Sequence, residues 1–151
     1  MSDRIRVKGL VQKGYGVASG KSGDPRFPQG TLEMQKPFFF DRGLNLNKYF
    51  SGTINLSISP HTYDIIKAKY TFRNIQWSPE APPEDFSFFD CRIVLNTGES
   101  IEGLIYYPHP ETKPDHFQSP DILEILTPFI EGLKYGDELI VEIDRQQLTI
   151  G

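Results

Sequence analysis

Cysteine is nearly missing from this chain: Cys91 is the only one, so no disulfide can close within it. Cys91 stands among apolar residues in a strand-like run with no Cys–His signature around it, and it reads as a buried, inert thiol. Histidine is scarce too. His61, His109 and His116 lie near prolines and at no metal-ligand spacing, which makes them loop residues and not a metal site. There is no excess of positive charge, since Lys plus Arg number 16 against 20 Asp plus Glu, a net charge of −4. A surface built to neutralise phosphates is therefore not expected, and nucleic acid is not an expected partner. Long apolar runs are absent as well. Stretches such as Leu104 to Tyr107 fall far short of the roughly 20 residues that span a bilayer, and the opening Met-Ser-Asp-Arg lacks the apolar core of a signal peptide. A soluble, cytoplasmic protein with no membrane partner is expected.

What is present is a globular composition: 38% hydrophobic and 13% aromatic residues, with 13 Gly and 12 Pro to supply turns. A chain of 151 residues suffices for one domain with a real core, so residues 1–151 are expected to form a single unit. Alternation of period two marks strands at Arg4 to Lys8, with Ile5 and Val7 on one face, and at Thr53 to Ser59, with Ile54, Leu56 and Ile58 on one face. Tyr70 to Trp77 is rich in aromatic and β-branched residues and ends at Ser78-Pro79, so it reads as another strand. Cys91 to Leu95 and Ile101 to Tyr107 flank Asn96-Thr97-Gly98-Glu99, the pattern of a β-hairpin. Leu139, Val141 and Ile143 alternate in a last strand. Helix signals are few: a turn after Pro60, and one after Thr127-Pro128 where Thr can cap and Pro suits the first position. Phe27 to Asn47 is punctuated by Pro28, Gly30, Pro37 and Gly43 and reads as irregular structure with at most one short strand, Phe38, Phe39 and Phe40 packing inward. Ile122 to Leu126 fits strand or helix. The class is all-β with minor α, a barrel or sandwich carrying one or two short helices.

Three features bear on chemistry. Gly14-Tyr15-Gly16-Val17-Ala18 opens a glycine-rich loop whose backbone N–H groups can converge on an anion, although it is neither a Walker A sequence nor a dinucleotide fingerprint. An ordinary surface connection has the same composition. In Gly52-Thr53-Ile54-Asn55-Leu56, Thr53 and Asn55 leave the same face of a strand and offer a hydroxyl and an amide oxygen side by side. Hard oxygens of this kind suit Mg²⁺ held together with nucleotide phosphates, and they equally suit a solvated strand face. Glu124 lies among Ile122, Leu123, Ile125 and Leu126, so its carboxylate either faces outward or is committed to a partner.

Taken in chain order, Val7-Lys8-Gly9, the glycine loop, Gly52 to Leu56, Ile101-Glu102-Gly103, Thr112, Ile122 to Pro128 and Leu133 to Asp137 resemble the archaeal-type, CTP-dependent riboflavin kinases over nearly the whole chain. The resemblance implies a compact six-stranded cradle-loop β-barrel. It implies transfer of the γ-phosphate of CTP, or of another nucleoside triphosphate, to riboflavin with Mg²⁺, giving FMN. By this resemblance Thr53 and Asn55 contact the metal, Gly14, Tyr15, Gly16, Val17 and Ala18 bind the nucleotide, and Thr112 and Glu124 lie at the flavin. Glu124-Ile125-Leu126-Thr127-Pro128 matches the family segment Glu-Ile-Ile-Ala-Pro. Where the family reads Gly-x-Gly-Glu-Gly, this chain follows Gly16 with Val17-Ala18, and Ser51 stands where the family tends to have Pro. A second reading is a non-catalytic β-barrel module that binds a small ligand or a protein. Either form is expected as a monomer or small homo-oligomer.

Overall fold

Along β1 (Arg4–Gln12) side chains alternate between solvent and core, with Val7 and Val11 buried, as the charged–apolar alternation of its first residues dictates. The computed structural model describes residues 4–12, 31–79, 82–112 and 119–151. Eight further strands follow: β2 (Ile54–Ser57), β3 (Tyr63–Ile65), β4 (Tyr70–Ile75), β5 (Glu84–Val94), β6 (Ser100–Pro108), β7 (Ile122–Leu126), β8 (Glu138–Asp144) and β9 (Leu148–Ile150). One α-helix, α1 (Thr31–Asp41), precedes β2, and a 3-10 turn spans Pro110–Thr112.

All the pairings are antiparallel, and the large sheet runs β4-β5-β6-β7-β2-β1-β8. β8 also pairs with β5, from Cys91↔Ile143 to Val94↔Ile140, which closes β5-β6-β7-β2-β1-β8 into a ring of six strands. β5 is long enough to serve two neighbours on one edge: β4 along Glu84 to Phe88 and β8 along Cys91 to Val94. β3 and β9 form a separate pair.

Two apolar cores result. Leu56, Phe89, Ile93, Ile105, Ile125 and Val141 fill the inside of the ring. On its outer face Leu32 and Phe39 of α1 pack with Phe72, Phe86, Phe88, Leu104, Tyr106 and Leu126. Adjacent residues of β5, β6 and β7 thus feed opposite cores, and burial on both faces explains why these strands read as near-continuous apolar runs. Gly103 lets β6 approach β7, since a Cβ there would come 2.6 Å from the Leu126 carbonyl oxygen.

The structure corrects several expectations. The stretch expected to be irregular around Pro37 is α1, and only Phe39 of the three phenylalanines is buried while Phe38 and Phe40 are exposed. The segment after Thr127-Pro128 forms turns without helix, and Ile122 to Leu126 is a strand. α1 has 11 residues, and among the described residues no helix is long and apolar enough to cross a membrane.

Candidate functional site

The β1–β2 register sets Gln12 opposite Asn55, and the β2–β7 register sets Asn55 opposite Glu124. Directly opposed residues of antiparallel strands share a face with their Cβ atoms about 5 Å apart, so an amide, a second amide and a carboxylate stand in one row across three strands. Ile54, Leu123 and Ile125 take the inner face, which leaves the row on the outer face of the ring. Asn55 is half-buried and Glu124 only 9% exposed. Thr53, also half-buried, lies two residues before Asn55 at the entry to β2.

α1 adds polar groups to this face. Its buried stripe is Leu32, Gln35, Lys36 and Phe39, at helical spacing. The Tyr106 hydroxyl donates to Gln35 Oε1 at 2.7 Å, while Gln35 Nε2 is buried with no hydrogen-bond partner among the described residues. Lys36 Nζ donates to the Tyr49 carbonyl at 2.7 Å, tying α1 to the segment that leads into β2. Burial drives the Tyr106 phenol well above its ordinary range, and the Glu124 and Glu84 carboxylates push it further up. Tyr63 is raised by burial, then by Tyr107 and by Glu124. Both phenols stay protonated, and the Tyr106 hydroxyl keeps its donor role toward Gln35. Ser51 donates to the Glu33 carboxylate in a short hydrogen bond, and Phe50 meets Phe129 with ring centroids 5.4 Å apart, both rings exposed to solvent at the edge of the Gly52-Thr53 segment.

Asn55 and Glu124 are thus brought together, with Thr53 close in the chain. Gly14, Tyr15, Gly16, Val17 and Ala18 lie outside the described residues; they follow Gln12, whose position in the row is fixed by its pairing with Asn55. Thr112 has local work: its hydroxyl accepts from the Asp85 N–H at 2.9 Å and donates to the His109 carbonyl at 3.0 Å. Gln12, Gln35, Lys36 and Tyr106 were not candidates from the sequence. A polar residue at the end of a strand or beneath a helix carries no local signal, because register and helix rotation decide its neighbours.

Among the described residues no group of three or more His, Cys, Asp and Glu side chains gathers to hold a metal. Hydroxyl and amide oxygens side by side are donors that Mg²⁺ accepts when substrate phosphates and water complete its octahedron, so Thr53 and Asn55 fit that ion. No family model matches the chain, and no curated protein does.

Proposed function

We propose that this chain is a phosphotransferase of the riboflavin-kinase type, which moves the γ-phosphoryl group of CTP or another nucleoside triphosphate to the ribityl hydroxyl of riboflavin, giving FMN and the nucleoside diphosphate. The observation that carries this reading is the row Gln12, Asn55, Glu124 across β1, β2 and β7, with the glycine-rich segment following Gln12 in the chain. Phosphoryl transfer asks mainly for alignment and for neutralisation of charge. Mg²⁺ supplies that neutralisation when bound, and in this reading the Thr53 hydroxyl and the Asn55 amide oxygen hold it. Glu124 accepts a hydrogen bond from the flavin or from a ribityl hydroxyl and orients it. The six-strand ring is then a cradle-loop barrel, and the ligands are riboflavin and a nucleotide. The replacement of the family's Glu-Gly by Val17-Ala18 supports the second reading, a module that keeps the pocket without the reaction.

Purified protein incubated with riboflavin, Mg²⁺ and, separately, CTP, ATP, GTP and UTP is expected to form FMN with at least one donor, followed by fluorescence-detected chromatography. Asn55→Ala is expected to remove the Mg²⁺-dependent turnover while changing stability by no more than about 1 kcal/mol. Absence of FMN with every donor overturns the kinase. A rise in melting temperature with riboflavin or nucleotide would then establish the binding module.

A further inference from the structure

A second constellation lies apart from the row just described and does not depend on it. Ser87 of β5 and His109, just after β6, are 22 residues apart in the chain, and the β5–β6 register brings them together by pairing Phe86 with Pro108 and Ser87 with Tyr107. The Ser87 hydroxyl and His109 Nε2 are 2.7 Å apart, and His109 Nδ1 is 3.0 Å from a carboxylate oxygen of Glu111. A carboxylate can only accept, so Glu111 fixes the proton of a neutral imidazole on Nδ1. Nε2 is then the acceptor, and the Ser87 O–H donates to it. Thr71 Oγ1 lies 3.0 Å from the Ser87 oxygen on its other side, so the serine is fixed from two directions.

The loop that carries His109 and Glu111 is itself pinned. The His109 N–H donates to the Asp85 carbonyl at 2.9 Å, the Asp85 N–H donates to Thr112 Oγ1 at 2.9 Å, and that hydroxyl donates back to the His109 carbonyl at 3.0 Å. A hydroxyl, a base and an orienting carboxylate held by such supporting bonds are the parts of an activated nucleophile. Tyr107 is the direct cross-strand neighbour of Ser87, and its ring meets that of His109 edge-on at 5.3 Å between centroids. Burial and the Glu111 charge raise its phenol pKa, so Tyr107 stays neutral beside His109.

We infer that Ser87, His109 and Glu111 form a nucleophilic hydrolase site for short, uncharged carboxylic esters. Ser87 is 3% exposed and the His109 side chain 15%, so the acyl group has to be small. Glu111 borders the site and disfavours anionic esters, while the charge of Asp85 is offset by Arg73 at 3.1 Å. In the first step Ser87 Oγ bonds to the ester carbonyl carbon and its proton passes to His109 Nε2. The bond to the alcohol oxygen then breaks, and His109 returns the proton to that oxygen. Water, giving a proton to the same nitrogen, attacks the acyl-serine, and the acid leaves as Ser87 recovers its hydrogen. Glu111 is the positioning residue.

The test is to treat the folded full chain with methanesulfonyl fluoride, whose sulfonyl group is as small as an acetyl group, and locate the adduct by peptide mass spectrometry, alongside hydrolysis of p-nitrophenyl acetate. The expected result is a single adduct on Ser87 and a release of nitrophenol that S87A removes. Glu111 is on the surface, so E111Q is expected to leave the melting temperature unchanged while slowing both labelling and hydrolysis, at most by about 10⁴-fold. An unlabelled Ser87, labelling that E111Q leaves as fast as before, or hydrolysis that survives S87A would each overturn the inference.

Discussion

Glu142 of β8 has three guanidinium groups around a carboxylate whose side chain is 9% exposed: Arg6 Nε at 2.5 Å, Arg92 Nε at 3.1 Å and Arg4 Nη1 at 3.8 Å. The arginines reach water and are screened by it, so each pair alone is worth little. Removing the shared anion is another matter, because three like charges are left crowded against one sheet face. E142Q is expected to lower stability by about 1–2 kcal/mol, and by more at low ionic strength where screening is weaker. Urea denaturation at two salt concentrations measures this, and identical losses at both would exclude a charge effect. At this scale the sequence is informative where chemistry is local. Thr53 and Asn55 stand out by their spacing, Glu124 by its apolar neighbours, and Cys91 is indeed buried, with burial pushing its thiol pKa upward. His109 looked like an ordinary loop histidine because its serine is distant in sequence and reaches it only through the β5–β6 register.

Among the elements, α1 was the least legible. Two of its four inward positions, Gln35 and Lys36, are polar, and Pro37 sits inside the helix, so both the periodicity and the breaker signal argued against it. What holds the helix is tertiary packing: Phe39 meets Phe86 and Phe88 edge-on, each with centroids 5.1 Å apart. F39A is therefore expected to cost about 3–5 kcal/mol. Phe40, next in the chain and 57% exposed, gives the control, and F40A is expected to stay within about 0.5 kcal/mol. Thermal or urea unfolding of the two variants checks the pair, and equal effects would mean that α1 does not dock as described. The ring strands are more legible because alternation survives wherever one face meets water. Arg4 to Lys8 lies within β1, the middle of Thr53 to Ser59 is β2, and the Cys91 to Tyr107 hairpin is β5 and β6. β3 and β9, three residues each, are too short to show a period, and their pairing joins Tyr63 to Ile150 across most of the chain.

For the whole molecule, the decisive fact is that one set of strands serves both cores. Ile105 faces the inside of the ring while Leu104 and Tyr106 face α1; Ile125 and Leu126 divide in the same way, as do Phe88 and Phe89. Neither core can open without disturbing strands that hold the other, so the ring and the helix layer should unfold as one cooperative unit. The single Trp77 makes this measurable, because it is buried in the outer core with its indole N–H on Glu84 at 2.7 Å. Its fluorescence reports the helix layer, and far-ultraviolet circular dichroism reports mainly the strands. The two urea transitions are expected to coincide, and F39A and I93A, which cut into different cores, are each expected to move both together. A fluorescence transition at lower urea than the dichroism change would show that the α1 layer detaches while the ring persists. Gln35 and Lys36 would then leave the outer face before the sheet that carries Tyr106 and Glu124 melts, and that face would have a stability of its own, separate from that of the fold.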